Sequence, residues 1–290
     1  RHLTGKNVKR RLMLSNRVWR RTMSLAEPVH VDATHADSSV VSVSRLLRED
    51  GVTSETDDTV VAEVPVAMSF NDISYAVMMA TPCDLEDFIR GFAIGEDIVT
   101  SPRAIYDIEI KPADTGVAVN ARVSNETAHR LQSRRRSMAG PSGCGLCGIE
   151  SIEQVTRDIA PLQSQALPSQ VALDKALTDM RARQVVSQST SGAHAAVWCD
   201  MEGNIVSVRE DVGRHNALDK LIGWRSLNPT DGFVLVSSRA SYEMVAKAAT
   251  AGIGVLAAVS APTSMAIDTA KSANLGLIAF ASSGRHAVYA

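Results

Sequence analysis

The chain has 290 residues and a mass of 31.0 kDa, which is enough for one large or two modest domains. Apolar residues make up 45% and charged residues 21%, an ordinary globular composition that argues against extensive disorder. No apolar run reaches the roughly 18 residues of a membrane-spanning helix, and four cysteines are too few for a disulfide scaffold. We therefore expect a cytoplasmic protein without a membrane partner.

The amino-terminal segment is strongly basic. Residues 1–22 hold eight Lys or Arg and no acid, whereas the rest of the chain has 22 basic and 32 acidic residues. Such an arm can touch nucleic acid or anionic lipid, and its Arg10-Arg11 and Arg20-Arg21 pairs superficially resemble an export signal. No apolar stretch follows either pair. We interpret residues 1–39 as a solvated, disordered tail and expect no nucleic-acid partner.

The first half of the globular region predicts a small α+β domain over residues 40–143. Loose alternation over 59–70 predicts a strand, and Asn71-Asp72 predicts a turn into a second strand over 73–80. Thr81 and Pro82 are typical of a helix start, and apolar residues then recur at helical spacing, at Leu85, Phe88, Ile89 and Phe92. Short strands over 102–124 and a helix over 126–137 complete this domain.

The last third is the most regular part of the chain. It predicts a helix over 169–183 and a hairpin of two strands over 195–199 and 205–209. Strands and helices then alternate with short loops, as strand 233–236, helix 242–251, strand 255–259, helix 265–272 and strand 277–280. This alternation implies parallel βαβ units. We predict an α/β domain over residues 144–290 with at least three parallel strands.

A Cys-x-x-Cys pair, Cys144 and Cys147, lies in a Gly-rich loop just before a predicted helix. A helix amino terminus lowers a thiol pKa, and the thiolate is the form that attacks sulfur or binds metal. The pair is compatible with dithiol chemistry, half a zinc site or sulfur transfer through a persulfide. A closed zinc site needs four ligands, and the other cysteines, Cys83 and Cys199, are distant in the chain. We interpret Cys83, whose pKa could also fall at its helix start, and Cys199 as buried apolar residues.

Polar turns follow the predicted parallel strands. They read Ser237-Ser238-Arg239-Ala-Ser, Ser260-Ala-Pro-Thr-Ser and Ser282-Ser283-Gly284-Arg285. Hydroxyls, helix N–H groups and arginines at strand ends suit phosphates. Helix capping explains part of the hydroxyls but not Arg239 and Arg285, which are unfavourable beside a positive helix end unless an anion binds. None of these three turns is a Walker A or G-x-G-x-x-G pattern, which argues against triphosphate hydrolysis and dinucleotide redox chemistry at these strand ends.

Two histidines lie in polar segments of the same predicted domain. His215 belongs to an ionisable strand-to-helix turn in which Asn216 and Asp219 have the spacing of a capping box. His194 ends a polar loop before a strand. Together the two histidines indicate a pocket.

Five motifs resemble those of the FdhD/NarQ family of formate dehydrogenase accessory sulfurtransferases. They are Thr81-Pro-Cys-Asp-Leu, Cys144-Gly-Leu-Cys-Gly, Arg209-Glu-Asp-Val-Gly-Arg-His-Asn-Ala-Leu-Asp-Lys, Ser238-Arg-Ala-Ser-Tyr-Glu and Val255-Leu-Ala-Ala-Val-Ser-Ala-Pro-Thr-Ser. The similarity runs from residue 40 to the carboxyl terminus and leaves the basic tail outside.

The resemblance implies a cytidine-deaminase-like α/β domain, a smaller amino-terminal α+β domain and a cytoplasmic homodimer. It implies that a cysteine desulfurase supplies sulfur, which Cys144 holds as a persulfide with Cys147 assisting. That sulfur would pass to the molybdenum of bis(molybdopterin guanine dinucleotide) before the cofactor enters formate dehydrogenase. The cofactor-binding residues would be Phe280, Ala281, Ser282, Ser283, Gly284 and Arg285, to which we add Ser238, Arg239, His194 and His215. No permanently bound metal is expected.

Two other functions fit the same residues. One is a zinc-dependent, deaminase-like enzyme, which metal analysis would identify. The other is a non-catalytic chaperone that only shelters the molybdenum cofactor.

Overall fold

The computed structural model describes residues 39–136 and 159–290, which form three β-sheets and the helices around them. The strands are β1 (Val40–Glu49), β2 (Val52–Val61), β3 (Val64–Phe70), β4 (Ile73–Ala80), β5 (Ile105–Ala113), β6 (Gly116–Val123), β7 (His194–Cys199), β8 (Ile205–Asp211), β9 (Phe233–Val236), β10 (Val255–Ala258), β11 (Gly276–Ser282) and β12 (Arg285–Val288). The α-helices are α1 (Leu85–Gly95), α2 (Asn125–Arg136), α3 (Gln170–Arg183), α4 (Val185–Thr190), α5 (Arg214–Leu227), α6 (Tyr242–Thr250) and α7 (Ser264–Ser272). This mixed α/β fold confirms the predicted α/β class, while the cytidine-deaminase-like character of the second domain stays a prediction.

The first half of the described chain is built around a four-stranded sheet in the order β4-β3-β6-β5. Asn71 and Asp72 adopt left-handed backbone angles, with φ of 47° and 64°, and form the two-residue turn of the predicted β3–β4 hairpin. Alternate residues of β3 face inward, where Met68 and Phe70 are buried in the same core as Phe88 and Phe92 of α1. Both the hairpin and the apolar face of α1 are confirmed.

The second half contains a six-stranded sheet in the order β12-β11-β10-β9-β7-β8, in which β9, β10 and β11 are parallel. Successive side chains of its strands point to opposite faces of the sheet and pack into two apolar clusters. Val234 belongs to the cluster with α5, α6 and α7, whereas Leu235 belongs to the cluster with α3. Being buried on both faces explains why these short strands read as continuous apolar runs. The predicted parallel strands and the β7–β8 hairpin are confirmed.

The sequence patterns did not predict β1, the first part of β2, or β12. The β1 and β2 strands pair in register over ten residues each and turn at Asp50 and Gly51. Most of their side chains are exposed, so they lack the buried alternation that reveals a strand. The predicted domain boundary at residues 143/144 lies outside the described residues. The four-stranded and six-stranded sheets contribute side chains to one apolar core.

Helix α1 packs against α5 through two glycines. A Cβ atom on Gly91 would fall on the carbonyl oxygen of Asp219, and one on Gly223 would fall on that of Asp87. Neither neighbour is a flexible side chain, so a Cβ can fit only if the helices move apart.

We expect Gly91→Ala to destabilise the protein by about 3 kcal/mol or more, because it overpacks this contact. Glu86→Ala, an exposed change on the same helix, should stay within about 0.5 kcal/mol of the parent. Urea unfolding measures both variants. Equal stability of Gly91→Ala and the parent would show that the helices are not held this closely.

Candidate functional site

The predicted strand-end turns lie at one edge of the six-stranded sheet. Strands β9, β10 and β11 are parallel and end there, and antiparallel pairing brings His194, at the start of β7, opposite Asp211, at the end of β8. Hydrogen bonds join neighbouring turns: the backbone N–H of Ala195 donates to Ser237 Oγ at 2.9 Å. The N–H of Phe280 likewise donates to the Ser260 carbonyl at 3.1 Å. We call this region the carboxyl edge.

His194, Arg214 and His215 form a positively biased group at this edge, which we call the His–Arg–His cluster. Arg214 and His215 are the first two residues of α5. The Arg214 charge lowers the pKa of both imidazoles, although burial is the larger cause in each. The Nε atom of Arg214 is buried and has no hydrogen-bond partner among the described residues. A cation at a helix amino terminus is unfavourable, so the cluster is suited to an anion.

Within this cluster, His215 is hydrogen-bonded to an acid and is still neutral at pH 7. Its Nε2 lies 3.1 Å from Glu243 Oε2, an oxygen that also accepts from Ser241 Oγ at 3.1 Å. Burial, reinforced by Arg214, lowers the pKa of His215 to about 4 and outweighs the attraction of Glu243. The imidazole therefore donates from Nε2 and leaves Nδ1 as an acceptor.

Ser238 and Arg239 follow β9 at the same edge. Ser238 is buried and its hydroxyl donates to the carbonyl of Arg239 at 3.1 Å. The Arg239 side chain is exposed, and its guanidinium has no carboxylate within 4.0 Å in the described part of the chain. The sequence interpretation of this turn as a phosphate site stays a prediction.

Residues 280–285 form the end of β11 and its turn into β12. Phe280 has a left-handed φ of 52° at a bulge and is 40% exposed, an unusual conformation for an aromatic residue. Ala281 is buried, whereas Ser282, Ser283, Gly284 and Arg285 are exposed. The N–H of Gly284 donates to Asp174 of α3 at 2.9 Å and holds the turn on that helix. The role of this segment in cofactor binding stays a prediction.

Two placements next to the edge are wrong, because Thr81 does not cap α1 and Cys83 does not lie in that helix. The Oγ1 of Thr81 accepts from the Val212 N–H at 3.1 Å, and the helix follows Asp84, whose φ is 51°. Cys83 precedes the helix, and burial raises the pKa of its thiol, which agrees with the interpretation of Cys83 as an apolar residue. Lys220 Nζ lies 3.5 Å from the Cys83 sulfur.

Asn216 and Asp219 do not form a capping box. Asn216 lies inside α5 and donates from Nδ2 to Asp211 Oδ1 at 2.9 Å and to the Met79 carbonyl at 2.8 Å. Asp219 instead pairs with Lys247 at 2.8 Å. In both cases a long-range partner replaces the local one.

A fully buried ion pair lies next to the carboxyl edge, and the sequence analysis did not predict it. Lys220 Nζ lies 2.7 Å from Asp211 Oδ2, and both side chains are 0% exposed. The only signal available was the density of ionisable residues between 210 and 220, which gives no pairing.

Cys144 and Cys147 lie outside the described residues. Within residues 39–136 and 159–290, no group of three or more His, Cys, Asp or Glu side chains could hold a metal ion. No helix in these two stretches is long and apolar enough to span a membrane.

The fold and the carboxyl edge define a mixed α/β protein in which Arg214 and two histidines lie at the edge where parallel strands end. Residues 61–290 match the model of the FdhD/NarQ family, so the chain belongs to that family.

Relatives cover most of the chain. A sulfur carrier protein FdhD from Cupriavidus necator is 49% identical over 262 residues, which are 89% of this chain and 90% of the relative. A sulfur carrier protein FdhD from Acinetobacter baylyi is 46% identical over 236 residues, 80% of this chain and 86% of that one. A crystal structure of a proposed formate dehydrogenase accessory protein from Desulfotalea psychrophila has a TM-score of 0.70 at 24% identity. It covers 86% of this chain and 96% of its own, and it shares the fold.

The depressed pKa of His215 gives a testable pH dependence. Between pH 6.5 and about 4 the unfolded chain takes up a proton at this position and the folded chain does not. The free energy of unfolding should therefore fall as the pH drops through this window, and His215→Gln should reduce that slope. Urea unfolding at several pH values measures it. Equal slopes for the parent and His215→Gln would contradict a neutral, buried His215.

Proposed function

We propose that this protein is a sulfurtransferase that carries sulfur for the maturation of formate dehydrogenase. The observation that carries the proposal is the His–Arg–His cluster at the carboxyl edge, a site for an anionic partner in a chain whose relatives are named sulfur carrier proteins. The cluster supports anion binding, and the Cys-x-x-Cys pair supplies the sulfur chemistry.

In the loading step, the Cys144 thiolate attacks the terminal sulfur of a persulfide on a cysteine desulfurase. A new sulfur–sulfur bond forms on Cys144, and the desulfurase cysteine leaves as a thiolate, so no external oxidant or reductant is needed.

In the release step, the Cys147 thiolate attacks the Cys144 sulfur of the persulfide. The two cysteines become a disulfide, and the carried sulfur leaves as hydrosulfide after gaining the two electrons that the thiols lose. Hydrosulfide is a ligand for molybdenum. This step gives Cys147 the assisting role that the resemblance implies.

The substrate that receives the sulfur is bis(molybdopterin guanine dinucleotide), and we propose that it binds at the carboxyl edge. Its pyrophosphates are anions, and Arg214 offers a forked pair of donors beside the amino terminus of α5. Neutral His194 and His215 add hydrogen-bonding groups without requiring protonation. Arg239, Ser238 and residues 280–285 extend the site along the neighbouring strand ends.

The cytoplasmic location and the homodimer that the resemblance implies are part of the same proposal. Sedimentation of the full chain tests the dimer. The zinc-enzyme alternative would require stoichiometric zinc in purified protein, and a pure chaperone would remain active without Cys144.

We expect Cys144→Ser to lose the added sulfur, because the serine hydroxyl is not a nucleophile toward persulfide sulfur. It should also fail to activate formate dehydrogenase, while Cys147→Ser should still load sulfur and activate less well. Intact mass spectrometry after incubation with a desulfurase and cysteine measures loading. Cys199→Ser is the matched control, because Cys199 is buried and its pKa is raised to about 12. Loading of Cys144→Ser would disprove the assignment.

We expect Arg214→Ala to weaken binding of GDP, a fragment of the cofactor, about ten- to a hundredfold. A charge-assisted hydrogen bond contributes roughly 1.5–3 kcal/mol, which corresponds to that change. Arg239→Ala and Arg285→Ala should also weaken binding, whereas the exposed Arg48 of β1 lies away from the edge and its Arg48→Ala variant should bind as the parent.

Titration calorimetry measures GDP affinity, with ADP as the comparison nucleotide. Sulfur loading of Cys144 is followed on the same variants and should not change. Binding of GDP by Arg214→Ala at parental affinity would remove Arg214 from the site.

A further inference from the structure

Among the residues that the structure describes, two lysines of similar chemistry are buried in different places. Lys220 Nζ lies 2.7 Å from Asp211 Oδ2 and also donates to the Thr81 carbonyl at 2.9 Å and the Glu210 carbonyl at 3.3 Å. Lys247 Nζ lies 2.8 Å from Asp219 and 2.9 Å from Glu96. The first of these two pairs is hydrogen-bonded to the turn at the carboxyl edge, whereas Lys247 acts on the edge through the effect of its charge on the pKa of His215.

Asp211 connects Lys220 to the carboxyl edge through hydrogen bonds with three other residues. Its Oδ1 accepts from the Gly213 N–H at 2.8 Å and from Asn216 Nδ2 at 2.9 Å, which fixes the backbone just before α5 and its first turn. Its Oδ2 accepts from the Thr81 N–H at 3.0 Å, which ties the end of the four-stranded sheet to the same carboxylate. In the β7–β8 ladder Asp211 pairs with His194. All members of the His–Arg–His cluster therefore lie next to groups that this one carboxylate holds.

Stability alone is a weak reason to keep such a pair. Desolvation of two buried charges often costs as much as their attraction returns, and apolar residues of similar volume frequently replace such pairs without loss. A carboxylate with four donors in fixed directions can, however, set the path of a turn to a fraction of an ångström. The Asp211–Lys220 pair therefore differs from the Lys247 pair in that its carboxylate holds the turn before α5.

We propose that Lys220, acting through Asp211, is a positioning residue that sets the geometry and charge of the His–Arg–His cluster. The inference rests on the proposed anion-binding role of that cluster. The Lys220 ammonium holds the Asp211 carboxylate in place, so the carboxylate can hold Thr81, Gly213 and Asn216 together. The ammonium also offsets the negative charge that Asp211 presents to His194.

The experiment compares Lys220→Met with Lys247→Met in the full chain. Methionine retains most of the volume and removes the charge in both, so the two variants share the cost of a buried carboxylate that has lost its cation. Lys220→Gln, which keeps one donor toward Asp211, replaces Lys220→Met if that variant does not fold. The readouts are the pKa of His194 by NMR, hydrogen exchange of the Thr81 and Gly213 amides, and GDP affinity by calorimetry.

In the Lys220 variant we expect the pKa of His194 to rise by about one unit, because an uncompensated negative charge then faces it. The Thr81 and Gly213 amides should exchange faster, and GDP affinity should fall at least about tenfold, a size typical of a lost charge-assisted contact. Lys247→Met should leave the His194 pKa and both amides at their parental values; it can raise the pKa of His215, which Lys247 lowers.

Two results separate this inference from the proposed function. If the parent protein does not bind GDP, the proposed ligand is wrong, and the His194 pKa and amide exchange still decide the role of Lys220. If those two readouts are the same in the Lys220 and Lys247 variants, Lys220 is only a structural residue and the inference is overturned.

Discussion

The Asp211 carboxylate is the group on which the arrangement of the site depends. It accepts from Lys220, from Asn216 and from the backbone N–H groups of Thr81 and Gly213, so it joins the end of β4 to the turn between β8 and α5. A buried carboxylate is costly unless each lone pair has a donor. Because these donors lie up to 130 positions from Asp211 along the chain, the cost is met only when the four-stranded and six-stranded sheets are correctly assembled.

The same turn explains why positive charge accumulates at the carboxyl edge. Helix α5 begins directly after the Asp211 turn, so its amino terminus, Arg214 and His215 come to lie beside His194 of the paired strand. Burial, followed by repulsion from the Arg214 charge, lowers the pKa of both imidazoles and keeps them uncharged at pH 7. An anion bound here would relieve that repulsion and favour protonation of the histidines, since binding and protonation are linked.

Local sequence rules predicted the elements that bury apolar side chains in a regular pattern. They failed where a side chain forms a hydrogen bond with a residue far along the chain instead of capping its own helix. Strands β9, β10 and β11 were predicted because they are apolar on both faces, and α3 because Leu173, Leu177 and Met180 share one buried face. Thr81 and Asn216 were read as helix caps, but acceptors and donors far along the chain take their side chains instead. The β1–β2 hairpin was missed because exposed strands lack a buried face to mark them.

Histidines and strand-end turns were found from the sequence, whereas Arg214 and Lys220 were not assigned a place in the site. Both stand in a segment with six ionisable side chains, and composition alone does not say which of these face a ligand, which are buried and which are paired. Only the tertiary structure separates Arg214, which is partly exposed, from Lys220, which is enclosed. The distinction matters because the first can contact a ligand and the second can act only through another residue.

The geometry of the edge favours binding over reaction. Within the part of the chain that the structure describes, Ser241 donates to Glu243 rather than to His215, so no serine–histidine pair is set up to act as nucleophile and base. The Nε2 of His215 is hydrogen-bonded to Glu243 and is therefore not available as a base. Burial raises the pKa of the Cys83 thiol, which lies beside the buried Lys220. An edge that holds an anion without attacking it suits a carrier, in which the reactive sulfur belongs to a separate segment. In the function that we propose, the cofactor is retained at the edge while the Cys-x-x-Cys segment exchanges sulfur with one partner and delivers it to another.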